Sequence, residues 1–139
     1  MSADPNCIFC KIAQGTIPCL KLHEDERTLA FMDINPGNDG HALAIPKAHH
    51  PDLFAMPADL LGAVAATAHR VAAAVKTALN PDGLNLVQAN GKGAEQSVFH
   101  FHLHILPRRV GDGLSLNWGH RPGDMARIKE IHAKILRAM

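Results

Sequence analysis

Residues Gln96 to Arg108 read Gln-Ser-Val-Phe-His-Phe-His-Leu-His-Ile-Leu-Pro-Arg and carry the clearest pattern in the chain. Apolar residues and histidines alternate through its centre, and successive side chains of a strand point to opposite faces. The pattern therefore predicts a strand over residues 98–106, with one apolar face and one histidine face. The histidine face carries His100, His102 and His104, whose Cα atoms would be spaced ~6–7 Å apart.

Three imidazoles on one face allow three interpretations. They form a plain polar surface turned to solvent, they ligate a metal ion, or they catalyse a reaction in which a neutral imidazole attacks phosphorus. The residues just before the histidines favour catalysis on a phosphate. Gln96 and Ser97 supply amide and hydroxyl donors, and the glycines in residues 90–93 let backbone N–H groups approach phosphate oxygens.

The remaining patterns predict a mixed fold. Apolar spacing indicates a long helix over residues 58–79 and a C-terminal helix after Asp124, whose side chain suits an N-terminal cap. Because several strands follow one another without a crossover helix, we expect an α+β fold with an antiparallel sheet, not a doubly wound parallel sheet. The other predicted elements are a short helix over residues 7–14 and strands over residues 20–23, 28–33, 42–45 and 84–90.

Length and composition limit the possible functions. The 139 residues, 47% of them hydrophobic, fit one domain over residues 1–139. A net charge of +1 gives no strong field for nucleic acid or an anionic membrane, and no run approaches the ~18 apolar residues of a membrane span. The first residues lack the pattern of a signal peptide, so we expect a cytoplasmic protein whose three cysteines stay reduced.

Cys7 and Cys10 form a single CxxC, which has the spacing of metal ligands. Two other interpretations compete with a metal site. The cysteines are two small buried residues in a first helical turn, or they are a redox pair, although no βαβ pattern surrounds them. A closed zinc site needs four ligands, so two more would have to come from elsewhere in the chain.

The stretch from Gln96 to Arg108 resembles the signature of the histidine-triad (HIT) family, in which three histidines alternate with apolar residues. Three further blocks resemble the family in the same order, at residues 7–12, 30–36 and 40–49. The resemblance covers residues 7–108 and is to bacterial Hint-like members that carry an N-terminal CxxC. It is looser over the tail, residues 109–139. It implies a HIT-like fold.

This resemblance implies a hydrolase that cleaves at the α-phosphate of a purine nucleotide conjugate, such as a nucleoside phosphoramidate, through a nucleotidyl-histidine intermediate. The middle histidine, His102, would be the nucleophile, and His104 would contact the phosphate. Ser97 would donate to the phosphate or the leaving group, and Gln96 would shape the phosphate loop. Asp33 matches the acid that binds the ribose hydroxyls, although alone it also suits a turn. The residues that match the rest of the nucleotide site are Phe9, Ile12, Ile17, Phe31, Ile34 and Asn90.

The resemblance also implies a structural Zn²⁺ ion, no organic cofactor and a homodimer. The zinc ligands would be the two cysteines of the CxxC, the histidine that follows Ile-Pro-Lys-Ala, and the first histidine of the triad. His50 competes with its neighbour for the third place. His41 would support the site by a hydrogen bond or serve only the fold. The implied ligand set is Cys7, Cys10, His49 and His100.

Two positions depart from the family pattern. Glu95 stands where members often have glycine, and a carboxylate there would repel a polyphosphate or restrict the loop. Ala89 stands where bacterial members often have asparagine. The residues do not separate a nucleoside phosphoramidase from a dinucleoside polyphosphate hydrolase. Two readings of another kind stay open, a zinc-stabilised nucleotide-binding module with little turnover and a metalloenzyme with zinc on the triad histidines.

Overall fold

The computed structural model describes residues 2–139 and contains five strands and three α-helices. Two short 3₁₀ turns, at Leu53–Ala55 and Lys92–Ala94, lie in the connections. The bounds in chain order are α1 (Ile8–Ala13), β1 (Lys21–Glu24), β2 (Thr28–Met32), β3 (Ala42–Pro46), α2 (Ala58–Leu79), β4 (Gly83–Val87), β5 (Leu103–Arg108) and α3 (Met125–Leu136).

The strands form one sheet in the order β1-β2-β3-β5-β4. Every neighbouring pair is antiparallel, and β1 and β4 are the two edges. The predicted α+β class, with one long helix and a C-terminal helix, is therefore confirmed. The predicted strand over residues 84–90 is shorter in the structure, because the chain leaves the sheet after Val87 to form the loop before the histidines.

The long helix α2 covers one face of the sheet. It buries Val64, Ala68, Val71 and Val75 at helical spacing. Alanines of β2 and β3 lie beneath them, and such small residues let the helix axis come close to the sheet. Burying one valine side chain contributes about 1.5–3 kcal/mol, so this face anchors the helix. By length and composition alone α2 could also cross a membrane, but core helices of soluble proteins can have the same length and composition.

The short helix α1 covers the opposite face and lies next to the histidines. Cys7 is its N-cap, and the sulfur accepts a hydrogen bond from the Cys10 N–H at 3.4 Å. The helix therefore begins where the CxxC begins, and both cysteines are buried. The residues packed together on this face are Cys7, Phe9, Cys10, Leu29, Phe31, Leu43 and Ile45.

The histidine stretch does not form the strand predicted over residues 98–106, because regular pairing begins only at Leu103 and the residues before it bend. The neighbouring strand β3 ends at Pro46, which has no N–H to extend the ladder. The Phe101 N–H instead donates to the His50 carbonyl at 2.7 Å. The alternation itself is retained, since Phe101 packs under α2 while the histidines lie on the side of α1.

The tail after β5 is fixed by hydrogen bonds at its start, whereas its C-terminal helix is not buried. Arg108 makes paired hydrogen bonds to Asp112, at 2.7 and 2.9 Å, which fix the first turn of the tail. Helix α3 begins as predicted, with the Asp124 side chain accepting from the Ala126 N–H at 2.9 Å. No residue of α3, all of which the structure describes, is buried.

Candidate active site and metal centre

A cavity of about 460 Å³ opens between α1, the end of β2 and the histidine stretch. Such a volume suits a nucleotide-sized ligand. The structure brings nearly all of the predicted site residues to this one place. Those lining the cavity are Phe9, Ile12, Ile17, Phe31, Asp33, Ile34, Ser97, His102 and His104.

The His102 ring is held so that one nitrogen carries a proton and the other is free. Its Nδ1 lies 2.7 Å from the backbone carbonyl oxygen of His100, which can only accept a hydrogen bond. Nδ1 is therefore the protonated nitrogen, and Nε2 keeps its lone pair. The ring is only 4% exposed, so the interpretation of the triad as a solvent-facing polar surface is wrong for His102.

A relay of hydrogen bonds sets the tautomer of His104. The Gly37 N–H donates to His41 Nδ1 at 2.9 Å, so the proton of a neutral His41 lies on Nε2. That Nε2 lies 2.9 Å from His104 Nδ1 and donates to it. His104 therefore carries its own proton on Nε2, as a donor for an anionic oxygen. His41, expected either to support the site by a hydrogen bond or to serve only the fold, lines the cavity and makes that hydrogen bond.

Asp33, His41 and His104 also bring oxygen and nitrogen atoms within 4.8 Å of one another, a spacing that a metal ion would tolerate. The hydrogen bonds argue against such an ion. A metal would need the lone pair of His41 Nε2, but that nitrogen carries the proton because Nδ1 already accepts from Gly37. The three residues form a hydrogen-bonded relay. No group of possible metal ligands among the described residues joins all three triad histidines, so the structure does not support a metalloenzyme with zinc on the triad.

Burial keeps the histidines of the cavity neutral. Loss of solvent lowers the pKa of His104 to about 4, and the neighbouring His102 and His41 lower it further, while Asp33 acts in the opposite sense. Burial likewise lowers the pKa of His41, again against the Asp33 charge. For His102, burial lowers the pKa against the hydrogen bond to the His100 carbonyl and the Asp33 charge. All three rings are therefore uncharged at neutral pH.

Asp33 lies just after β2, at the mouth of the cavity. Its Oδ1 accepts from the Asn35 N–H at 2.8 Å, and its Oδ2 lies 3.6 Å from His41 Nε2. The first contact is the turn function expected of an aspartate before a Pro-Gly sequence. The carboxylate lies in the cavity with lone pairs to spare, which is what a pair of vicinal hydroxyls would need.

Two predicted residues lie outside the cavity wall. The Gln96 side chain is buried, where it accepts from the Gly91 N–H at 2.7 Å and donates to the carbonyls of Pro51 and Val98. These hydrogen bonds hold the loop from within. The Asn90 amide is bonded to Gln88 and to the Leu53 N–H, so its observed contacts are within the protein.

Several cavity residues were not predicted. All but Asn35 are apolar, and they come from several different parts of the chain. Cys19, which lies outside the CxxC, is one of them. Five of them fall within the four blocks that resemble the family, but their side-chain chemistry does not mark them as part of a site. The residues are Ile8, Pro18, Cys19, Met32, Asn35, Leu43 and Val98.

The four predicted metal ligands converge behind the cavity, at the start of α1. The ligand atoms of Cys7, Cys10, His49 and His100 all lie within 4.8 Å of one another. His100 Nδ1 is 3.4 Å from Cys7 Sγ and 3.5 Å from Cys10 Sγ, and His49 Nδ1 is 3.4 Å from Cys10 Sγ. His49, not the competing His50, occupies the third place.

These distances fit one tetrahedral ion. A Zn²⁺ ion bound ~2.3 Å from sulfur and ~2.0–2.1 Å from nitrogen places the two atoms ~3.5 Å apart. His100 Nε2 lies 2.8 Å from the Pro46 carbonyl, so Nδ1 is the unprotonated nitrogen and faces the sulfurs. The Asp4 N–H points at Cys10 Sγ, at 3.4 Å. Burial raises the pKa of the Cys10 thiol, so a bound cation would have to displace its proton.

His100 connects the ligand cluster to the cavity. The ring of His100 belongs to the ligand cluster, and its carbonyl holds His102 Nδ1. Anything that fixes the His100 ring therefore also fixes the backbone on which the neighbouring imidazole depends. The cluster of two cysteines and two histidines could hold a metal ion with no open position for water.

The low pKa of His104 makes the stability of the fold depend on pH. The unfolded chain binds a proton at its ordinary pKa near 6.5 and the folded chain at about 4, so the stabilisation is complete above 6.5 and is lost as the pH falls toward 4. The free energy of unfolding of the wild type should fall between pH 7.5 and pH 5. We expect this fall to be smaller in His104→Gln by about 1–2 kcal/mol.

Urea unfolding at the two pH values measures this difference. His132→Gln, which changes an exposed histidine on α3, serves as the matched control and should keep the wild-type pH dependence. An unchanged pH dependence in His104→Gln would contradict the assignment of a neutral, buried ring.

Comparison with known proteins agrees with this site. The HIT domain family model matches residues 14–111. The chain is 40% identical to the Bacillus subtilis protein "Protein hit" over 98% of both chains. It is 40% identical to an adenosine 5′-monophosphoramidase of Saccharomyces cerevisiae, over 96% of this chain and 82% of that protein. It is 42% identical to an adenylylsulfatase of Arabidopsis thaliana, over 78% of this chain and 55% of that protein.

Solved structures agree as well. A HIT family protein from Bacillus anthracis superposes with a TM-score of 0.91 at 40% identity, over 97% of this chain and 98% of that chain. A zinc-bound histidine triad family protein from Mycobacterium smegmatis gives 0.75 at 38% identity, over 96% and 98%. Fold, cavity and relatives together define a nucleotide-binding hydrolase. The chain belongs to the HIT family.

Proposed function

We propose that the chain hydrolyses nucleotide conjugates at the α-phosphate, with His102 as the nucleophile. The observation that carries the proposal is the His102 ring, whose Nδ1 is tied to the His100 carbonyl while Nε2 stays unprotonated in the cavity wall. A neutral imidazole held in one orientation has its attacking lone pair prepared before the substrate arrives.

The reaction would proceed in two displacements. His102 Nε2 attacks the α-phosphorus, the bond to the leaving group breaks, and the leaving group takes a proton from solvent. Water then attacks the nucleotidyl-histidine, gives up a proton to solvent, and releases the nucleoside monophosphate with neutral His102. His104 Nε2–H would donate to a phosphoryl oxygen, where charge develops, and the Ser97 hydroxyl would donate to the phosphate or the leaving group.

The nucleotide would lie with its base between α1 and β2. Apolar side chains there, among them Phe9, Phe31 and Ile34, would enclose the ring system, and the Asp33 carboxylate would accept hydrogen bonds from the ribose hydroxyls. The ligand class would be a purine nucleotide conjugate. Gln96, and Asn90 with it, would act through the loop that surrounds the phosphate.

We propose a nucleoside phosphoramidate, cleaved at its P–N bond, as the substrate type. The relative named for phosphoramidase activity matches nearly the whole of this chain, which supports this choice over a dinucleoside polyphosphate. The second candidate is a zinc-stabilised binding module with little turnover. The neutral, oriented His102 favours the enzyme, because a binding module has no need of a free Nε2.

We propose that the ion behind the cavity is Zn²⁺. Two sulfurs and two imidazoles in a tetrahedron are a donor set typical of structural zinc. The zinc-bound relative supports the same choice. The ion would hold α1 to the histidine stretch and leave the chemistry to His102. Because such a cluster needs reduced thiols, we also propose a cytoplasmic location.

We propose a homodimer. The structure exposes 9244 Å², whereas a compact monomer of this length would expose ~7,000 Å². The excess is more than the ~800 Å² that each partner buries in an ordinary interface. Strand β4 supplies a free edge with Leu86 53% exposed.

Light scattering at micromolar concentration should give the mass of two chains, and Leu86→Lys should shift it toward one. A monomeric wild type would contradict the proposal.

Turnover of adenosine 5′-phosphoramidate tests the proposed function. We expect the metal-replete wild type to release adenosine monophosphate and ammonia, separated by chromatography, faster than it cleaves diadenosine tetraphosphate. Binding of adenosine monophosphate without any turnover would favour the binding module instead.

A further inference from the structure

The loop that precedes the histidines is held by hydrogen bonds between its own residues on both sides of Glu95. The Gly91 N–H donates to the Gln96 side chain at 2.7 Å, and the Gln96 N–H donates to the Gly91 carbonyl at 3.1 Å. The Glu95 N–H donates to the Lys92 carbonyl at 3.0 Å. The backbone at residue 95 is therefore fixed on both sides, and its conformation is imposed by the loop.

That conformation is unusual for glutamate. Glu95 has φ 62° and ψ 32°, in the left-handed region, and Asn80 is the only other non-glycine residue with positive φ in residues 2–139. Asn80 ends α2, a position where asparagine is common. Glutamate has no such local reason, and glycine would occupy the position without cost. Glu95 thus combines a strained backbone with a carboxylate at a position where members of the family that the sequence resembles often have glycine, and strain of this kind points to function.

The cavity lining contains no positive charge to offset Glu95, whose own loop carries one lysine, Lys92. Among the described residues that line the cavity, none is lysine or arginine, and the cavity already contains the Asp33 carboxylate. Burial lowers the pKa of His41 and of His104, so neither ring offsets that charge at neutral pH. Glu95 itself is exposed and makes no ion pair with the described residues.

Glu95 is close enough to act on a leaving group. Two successive steps along the chain span at most ~7 Å. The Cα atom of Glu95 therefore lies within that distance of the Cα atom of Ser97, which lines the cavity. The Glu95 side chain is exposed to solvent. Two charges about 10 Å apart still interact at low salt, because the Debye length is then about 10 Å or more. The interaction weakens as the salt concentration rises.

We propose that Glu95 is a specificity-determining residue, whose carboxylate repels anionic leaving groups such as polyphosphate and leaves uncharged leaving groups unaffected. The inference rests on the proposed α-phosphate hydrolysis, because it concerns the group that departs from the same phosphorus. Glu95 touches neither the nucleophile nor the phosphate, and its effect is one of charge at the rim of the site.

The test compares two substrates across three variants. Glu95→Gln keeps the strained backbone and removes the charge, Glu95→Gly removes both, and Lys92→Gln removes a neighbouring positive charge. We expect Glu95→Gln to raise kcat/KM for diadenosine tetraphosphate by about three- to tenfold at low salt, with adenosine 5′-phosphoramidate changed by less than about twofold. Glu95→Gly should match it, Lys92→Gln should act in the opposite direction, and 0.5 M salt should remove the differences.

A charge-matched control is Glu26→Gln in the turn between β1 and β2. Glu26 is exposed and lies at the end of β2 away from Asp33, so its loss should change neither substrate. An unchanged substrate ratio in Glu95→Gln would overturn the proposal. So would a change found only in Glu95→Gly, since the cause would then be the backbone.

Binding separates this inference from the proposed reaction. Competition binding of ATP and adenosine monophosphate needs no turnover, and Glu95→Gln should raise the affinity for ATP relative to the monophosphate. If no variant turns over either substrate, the proposed reaction fails, while an increased ATP preference still supports the charge at residue 95. Equal ratios in wild type and Glu95→Gln would overturn it by binding alone.

Discussion

His102→Ala should abolish turnover of adenosine 5′-phosphoramidate, with kcat lower by about 10³- to 10⁶-fold, the range found when a nucleophile is removed. No other histidine of the triad can take its place. His104 Nδ1 accepts from His41, which leaves only a protonated nitrogen, and the His100 ring is committed to the cysteines and to Pro46. Steady-state kinetics on metal-replete protein measure the loss.

A second substitution separates the nucleophile from the fold. His102→Asn keeps a side-chain N–H that can donate to the His100 carbonyl but removes the nucleophilic nitrogen, so it should be as inactive as the alanine variant while melting near the wild type. His132→Ala is the surface control and should keep full activity. Turnover by His102→Asn within tenfold of the wild type would rule out His102 as the nucleophile.

Loss of the metal should have the second largest effect, and it should appear in stability. The ion would join the N-cap of α1, the segment after β3 and the histidine stretch, which are distant in sequence. Because the folded chain would bind it and the unfolded chain would bind it poorly, its removal should cost at least about 3–5 kcal/mol of unfolding free energy. The turnover should fall as well, because the His100 carbonyl orients His102.

Replacing both Cys7 and Cys10 by alanine should lower bound metal, measured by atomic emission, from about one ion per chain to almost none. Cys19→Ala is the matched control, since Cys19 lies outside the cluster, and should retain the ion. Chelation of the wild type gives the same comparison without a mutation that affects folding. Wild-type protein that melts at the same temperature before and after chelation would contradict a structural ion.

The sequence predicted the class of fold because its signals were local. The apolar stripe of α2 and the Asp124 cap of α3 fixed both helices. The histidine strand was wrong at its start, because its length depends on where β3 ends. Alternation does not show that β3, which ends at Pro46, is the partner strand of this stretch.

The metal cluster and the cavity wall could be predicted only through the resemblance to a family. Spacing linked Cys7 to Cys10, but nothing local linked them to His49 and His100, which are about 40 and 90 residues away. The tautomers needed coordinates, because they depend on which backbone group faces each ring. The strain at Glu95 was likewise invisible, since a sequence shows an unexpected glutamate but not its φ.

Formation of a bond between the nucleotide and His102 can be tested by a trapping experiment. Metal-replete wild type is mixed with α-labelled adenosine phosphoramidate for milliseconds to seconds. It is then denatured at alkaline pH, where a bond from phosphorus to imidazole survives, and is digested for mass spectrometry. In the wild type we expect a label at His102, on the peptide that contains this residue. In the His102→Asn variant we expect no label. Rapid turnover with no protein-bound label, or a label on His104 instead, would contradict it.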